Sequence, residues 1–455
     1  MRADGDILLL STYELGHQPL GLALPRAFLA RAGFRPAALD LSLEPLDEAA
    51  VRRARLVAFA VPMHTALKLA LAAAARVRAL NPAALVVFHG LYAPLHAALL
   101  RAAGAAAVLG GECEEELVRL AEAAERGEDL SRFVQDGAGA ATLRRLDFPV
   151  PSREGLPPLE RYAHLQDARG LRVAGYAEAT RGCLHRCRHC PIPPLYGGRL
   201  FVVPVEAVLA DVAQLVAAGA THVTFGDPDF LNGPGHALRV ARALHARFPA
   251  VTFDYTAKVE HLLRRPLLVA ELGALGALFV TSAVESLSDR VLAKLDKGHT
   301  RADALRAFEL CAETGVALRP SLLPFTPWST LEDYLDLLQT FEERGWLPQL
   351  DPVQLSIRLL VPPGSLLLRD PAFAGAALDP AALTFRWAHP DPRMDALQAK
   401  VAGLVEERAA AGADPLETVA AVKALALAAA GRVHQHVTRA RDRRFTPRLT
   451  ESWFC

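Results

Sequence analysis

The chain has 455 residues, 52% of them apolar and 22% charged, with a formal net charge of zero. That length supports two or three domains with separate cores, and a neutral total excludes binding driven by bulk charge to nucleic acid or an acidic membrane. The N-terminus lacks the apolar core of a signal peptide, and apolar runs such as 69–75 fall short of the roughly 20 residues of a membrane span, so the expected setting is the cytoplasm, with no membrane or nucleic-acid partner.

Strand and helix alternate from the start. Residues 6–11 (DILLLS) predict a buried strand, followed by a helix over about 20–32, strands at 35–41, 56–63, 84–90 and 105–110, and a helix at 65–80. Such alternation implies βαβ units and a parallel sheet, whose ligands lie outside the carboxyl ends of the strands. The loops to watch are therefore 11–17, 63–65, 89–92 and 110–113. From about 125 to 169 the sequence turns charged and rich in Gly and Pro, as a connector does. A second series then has strands at 173–179, 222–226, 252–257, 277–284, 317–324 and 353–361. Helices are expected between them at 204–218, 235–248, 266–272, 302–313 and 331–344. Six β/α units in about 190 residues fit a partial barrel better than a closed one of eight. After 371 the chain reads as helical (394–411 and 416–437), then basic. The expected class is α/β: a Rossmann-like parallel sheet over 1–126, a connector over 127–170, a partial (β/α)6 TIM barrel over 171–370, and a helical C-terminal region over 371–455.

Three of the six cysteines stand together in Thr180-Arg-Gly-Cys-Leu-His-Arg-Cys-Arg-His-Cys-Pro191, directly after the first barrel strand. Iron–sulfur clusters normally take four protein thiolates, so Cys183, Cys187 and Cys190 leave one iron open to another ligand. Structural zinc sites use four ligands, usually as two separated pairs. Here Cys113, Cys311 and Cys455 sit singly and His185 and His189 lie inside the loop, which favours the open cluster over zinc. Few cysteines, half of them in one short motif, also indicate metal binding and not a disulfide frame.

C-x3-C-x2-C after the first strand of a six-unit partial barrel resembles the signature of the radical S-adenosylmethionine (SAM) superfamily, with His189 where relatives commonly carry an aromatic residue. The resemblance implies a [4Fe-4S] cluster on the three cysteines and SAM on the open iron. It also implies generation of a carbon radical, a reductant such as flavodoxin or ferredoxin, and a small-molecule or peptide substrate. Further stretches match. In Phe225-Gly-Asp-Pro-Asp-Phe-Leu231, Asp227 and then Asp229 are expected to meet the SAM ammonium, which a carboxylate holds well. Lys258, in Ala257-Lys-Val-Glu260, stands at a strand end that lies near SAM in relatives. Val284-Glu-Ser286 followed by Lys297-Gly-His-Thr300 resembles cobalamin-associated and methylthiotransferase-like members, and places Glu285 near the SAM ribose and methionyl part. Arg319-Pro-Ser321 on the fifth strand is a candidate contact to the SAM carboxylate, with Ser321 as the site residue. Val361-Pro-Pro-Gly-Ser365 resembles the segment that passes the adenine.

The first domain resembles the cobalamin-binding domain that precedes many radical SAM barrels. The matching pieces are Pro19-Leu-Gly-Leu-Ala23, Leu39-Asp-Leu41, His89-Gly90 and Gly110-Gly-Glu112. No D-x-H-x-x-G run is present, so a histidine-ligated cobalt of the mutase type is not implied. His64, in Pro62-Met-His-Thr-Ala66, stands at a strand end where a cobalt-facing residue belongs. Tyr196-Gly-Gly-Arg199, the Pro62 pentad and the final Trp453-Phe-Cys455 resemble a bacterial radical SAM group whose tail reads Cys-selenocysteine-Ala-Glu-Pro or Cys-Cys-Ala-Glu-Pro. On that resemblance a UGA selenocysteine codon follows Cys455, which becomes a catalytic redox residue. The basic run at 439–448 has one aromatic and reads as a solvated tail. The expected function is that of a radical SAM enzyme, with methyl transfer to an unactivated carbon if cobalamin is bound. The alternatives are a cobalamin-independent transferase or redox enzyme acting through Cys455, and a non-catalytic metal-binding protein.

Overall fold

A computed structural model describes residues 1–432 and 446–451. Five short apolar strands, β1 (Ile7–Ser11), β2 (Ala37–Asp40), β3 (Leu56–Ala60), β4 (Leu85–His89) and β5 (Ala107–Leu109), form a parallel sheet in the order β2-β1-β3-β4-β5. Helices Leu20–Arg31, His64–Leu80 and Glu114–Glu125 pack on it, and two apolar cores lie on its two faces. Strands buried on both faces read as continuous apolar runs, which is why Leu8-Leu-Leu10 and Val86-Val-Phe88 could be recognised without alternation.

The second sheet is a half-barrel. It combines β6 (His164–Asp167), β7 (Gly170–Ala177), β10 (His222–Phe225), β11 (Thr252–Ala257), β12 (Ala277–Glu285), β13 (Ala317–Leu322) and β16 (Arg448–Leu449) in the order β13-β12-β11-β10-β7-β6-β16. The five strands β7 and β10 to β13 are parallel; at the outer edge β6 runs antiparallel to β7, and β16 antiparallel to β6. Between β7 and β10 a small ribbon, β8 (Thr180–Gly182) with β9 (Leu200–Val202), frames the cysteine loop. A second ribbon, β14 (Leu378–Asp379) with β15 (Thr384–Phe385), follows the barrel. Helices Pro392–Ala410 and Pro415–Ala429 complete the large core through Met394, Leu397, Val401 and Val422.

The strand expected at 353–361 is not formed. Asp351 caps the amide of Val353 with Pro352 at the first turn position, so Pro352–Leu355 winds into a 3-10 turn. Gln354 Oε1 takes the amide of Leu322 that a sixth strand would have paired. One bridge, Phe325 to Arg358, is what remains of the sixth unit. Local capping outweighs the apolar pattern here.

Candidate active site

The cysteine loop leaves the carboxyl end of β7 and is tied down at both ends. Asp227, just past β10, accepts from Ala179 N at 3.0 Å and Thr180 Oγ1 at 2.5 Å. Asn232 accepts from Leu184 N through Oδ1 and donates through Nδ2 to Cys183 Sγ, each at 3.3 Å. On the far side Arg188 N donates to Leu295 O at 2.9 Å. Cys183, Cys187 and Cys190 are all free thiols, partly or fully buried. Burial pushes the Cys190 thiol up to about 12 and raises Cys183 as well, against the pull of the Asn232 amide. Three such thiols on one braced loop fit the three-ligand share of an open cluster, because thiol protons are released as metal binds.

Two polar chains flank the loop. Glu285 sits at a bulge where β12 loses register with β13, with φ of +62°. A positive φ in a residue other than glycine is strained and commonly marks a working position. Burial opposes its ionisation, but Lys297 (Nζ at 3.1 Å) and His189 (Nε2 at 3.4 Å) outweigh burial and bring the carboxyl down to about 2. On the other side runs a chain from Asp229 to Glu260. Asp229 Oδ2 lies 2.9 Å from His261 Nδ1, His261 Nε2 lies 3.0 Å from His185 Nε2, and His185 Nδ1 lies 3.0 Å from Lys258 Nζ. Lys258 also reaches Glu260 at 3.3 Å. His185, Asp229 and His261 are close enough to ligate one metal ion. Lys258 Nζ lies on His185 Nδ1 and His261 on His185 Nε2, so both nitrogens of His185 are engaged beside the cysteine loop.

Asp227 and Asp229 are each 1% exposed, and both oxygens of each accept hydrogen bonds from protein groups or lie against them. These bonds hold the loop and the β11 terminus. Burial lifts the Asp227 carboxyl to about 7, against those hydrogen bonds. Lys258 and Glu285 stand beside the loop, and Ser321 lies opposite Ala283 on the next strand. Cys455 and residues 439–445 of the basic run lie outside the described residues. Asn232 and His261 went unrecognised in the sequence because a lone Asn or His carries no spacing signal.

The first sheet meets the loop directly. Arg181, two residues before Cys183, pairs with Glu114 at 2.6 Å and lies 3.6 Å from Glu112, and Tyr196 donates to Glu112 at 3.0 Å. At the carboxyl edge of that sheet, Ser11 Oγ, His89 Nε2, Glu112 Oε2 and Glu114 Oε2 are buried without a hydrogen-bond partner among the described residues. His64 is engaged: its Nε2 lies 2.8 Å from Ala382 O.

The family model of the radical SAM superfamily matches residues 178–338, from the residue after β7 through β13. This chain carries a radical SAM domain. The domain implies a [4Fe-4S] cluster and SAM, and an enzymatic role. The ribosomal protein uS12 methylthiotransferase RimO of Anaeromyxobacter sp. (strain Fw109-5) is 28% identical over 237 residues, covering 48% of this chain and 46% of that protein. The tRNA-2-methylthio-N(6)-dimethylallyladenosine synthase of Pseudomonas syringae pv. syringae (strain B728a) is 24% identical over 242 residues, covering 48% and 54%. The chain thus spans about half the length of these relatives. Among solved structures, the radical SAM methyltransferase TsrM from Kitasatospora setae, with tryptophan and a SAM analogue bound, matches with a TM-score of 0.57 at 20% identity, over 74% of this chain and 71% of that one. The cobalamin-dependent radical SAM enzyme OxsB with aqua-cobalamin bound matches with a TM-score of 0.68 at 14% identity, over 88% and 67%. At these identities the likeness is one of fold. It covers both the radical SAM domain and the sheet before it.

Proposed function

We propose that the protein is a cytoplasmic radical SAM enzyme in which Cys183, Cys187 and Cys190 hold a [4Fe-4S] cluster and SAM lies between the loop and the ends of β11, β12 and β13. The single observation that carries the reading is the set of three free thiols on one braced loop, flanked by the strained, ionised Glu285. The cofactor pair supplies, when bound, reductive cleavage of a sulfonium C–S bond. The protein's part is placement. Glu285 presents a carboxylate kept charged by Lys297 and His189, suited to a ribose hydroxyl or an ammonium. Lys258 and Ser321 border the same space. Asp227, Asp229 and Asn232 fix the loop from behind, so that the open coordination position is aimed before any ligand arrives. Residues 171–370 form the catalytic unit in this reading.

Methyl transfer through cobalamin is the finer proposal. Two observations support it: the orphaned polar atoms at the carboxyl edge of the first sheet, which a polar ligand there would satisfy, and the fold shared with TsrM and OxsB. Residues 1–126 would then carry the corrin. A catalytic Cys455 rests on the tail resemblance alone.

Anaerobic reconstitution with iron and sulfide, followed by visible spectra and product analysis of SAM, tests the proposal. A brown chromophore bleached by dithionite, lost in a Cys183→Ser/Cys187→Ser/Cys190→Ser variant, is expected, with turnover of SAM to 5′-deoxyadenosine or S-adenosylhomocysteine. A corrin spectrum after incubation with hydroxocobalamin is expected for the finer reading. A colourless zinc protein would overturn both.

A further inference from the structure

On its inner face the half-barrel carries a partly buried cation, Arg319, one of whose nitrogens is shielded without a hydrogen-bond partner among the described residues. Along β13, Leu318 and Leu322 pack into the core against the helices, so strand alternation turns Arg319 and Ser321 to the inner face. Register sets Arg319 beside Thr281, which in turn pairs with Thr256, so three inward residues form a layer two positions below Ser321. Arg319 Nη1 is shielded from solvent without a hydrogen-bond partner, and no other nitrogen of that guanidinium is hydrogen-bonded among the described residues.

Among the described residues, the charges that act on it most are those of Asp351, Glu451, Asp254 and a second cation, Arg448. One oxygen of each carboxylate is engaged elsewhere. Asp254 Oδ1 accepts from Thr224 and lies 2.9 Å from His222 Nε2, Asp351 caps Val353 N, and Glu451 lies 2.8 Å from His17 Nε2. Arg448 is held by Gln166. A guanidinium nitrogen shielded from water without an acceptor is costly, and burial depresses the Arg319 guanidinium below its ordinary range. Proteins keep such groups where a ligand completes them, and the planar fork matches an oxyanion with two hydrogen bonds.

We propose that Arg319 is the recognition point for an oxyanion, a carboxylate or phosphate, carried by the substrate in the barrel lumen. The inference rests on the radical SAM reading for what the lumen holds, though the anion site itself stands on the geometry of β13. SAM also carries a carboxylate, so the experiment separates the two sources.

The test uses the reconstituted full chain, with acetate and inorganic phosphate as probes at constant ionic strength. Thermal unfolding is measured for the native protein, Arg319→Met and Arg319→Lys, with cluster absorbance and SAM affinity recorded on the same samples. Native protein should gain Tm with added acetate or phosphate. Arg319→Met should bind the anion at least about tenfold more weakly, since it loses charge-assisted hydrogen bonds. It should also unfold no lower than native protein without the anion, because an unpaired charge has left the interior. Arg319→Lys should keep part of the response, with cluster content unchanged in both variants and SAM affinity as the measurement that separates a substrate anion from the SAM carboxylate. An unchanged anion response in Arg319→Met overturns the proposal, as does a fall in its anion-free Tm, which would make the residue structural. Weakened SAM binding assigns the guanidinium to SAM and overturns it too. Native protein that shows the anion response but builds no cluster would instead sink the radical SAM reading and leave the site standing.

Discussion

Gly182, the residue before Cys183, offers a sharp test of how the loop is held. Its φ is +73°, and a Cβ there would clash with Arg199 O and meet the Tyr196 ring at 2.5 Å. Neither neighbour yields easily. Arg199 adjoins the β8–β9 pairing of Gly182 with Leu200, and the Tyr196 hydroxyl is anchored on Glu112. A left-handed backbone costs Ala roughly 1–2 kcal/mol, and forced overpacking adds about 1–3 kcal/mol. Gly182→Ala should therefore destabilise by about 2–5 kcal/mol, concentrated on the loop. Gly197→Ala is the control: φ is +59°, but nothing lies within 4 Å of its Cβ, so only the backbone share of about 1 kcal/mol applies. Urea midpoints give the stability difference, and iron per chain after anaerobic reconstitution gives the effect on the site. Gly182→Ala should fall well below Gly197→Ala in both. Equal midpoints and equal iron in the two variants would refute the claim that β8, β9 and Tyr196 clamp the loop.

Three further outcomes follow from the same geometry. Lys297→Met leaves the buried Glu285 without its main cation. The unfolding free energy should drop by about 3 kcal/mol, and the Glu285 carboxyl should titrate well above its native value in pH-difference spectra of the variant. Asn232→Ala leaves the Leu184 amide without its acceptor and Cys183 without a donor, so about 1 kcal/mol is lost. Iron should then pass faster to a chelator, and an unchanged rate would count against the bracing role. Glu14 is held at about 8 against an ordinary 4.5, by burial first and by Asp40 and Glu178, despite the amides of Leu20 and Gly21. The folded protein thus keeps a proton that the unfolded chain releases, and stability should fall as pH rises from about 4.5 to 8, by roughly 1.4 kcal/mol per unit at most. Glu14→Gln should remove that slope in urea titrations across the range.

What the amino-acid order determined by itself is local or periodic. Apolar runs bounded by turn residues marked the five strands of the first sheet and the five parallel strands of the second, but not its edge strands β6, read as connector, and β16, read as tail. The spacing of Cys183, Cys187 and Cys190 named a three-thiolate loop, since ligands on one short segment need no tertiary structure to be seen together. Glu285 was legible as an acid closing a buried strand, with Lys297 nearby in the chain. The rest required folding, because it depends on which distant groups arrive at one point. Asn232 reaches Cys183 from 49 residues away, and Arg181 meets Glu114 across 67. Asp227 reads as an acid at a strand end, and only packing decides that its oxygens face the chain before the cysteines. The sixth strand failed because an Asp-Pro cap and one glutamine side chain competed locally with β pairing. Arg319 looks in sequence like any arginine at a strand end. It becomes a candidate site only when the folded chain shields its Nη1 and ties an oxygen of Asp254, Asp351 and Glu451 to other groups.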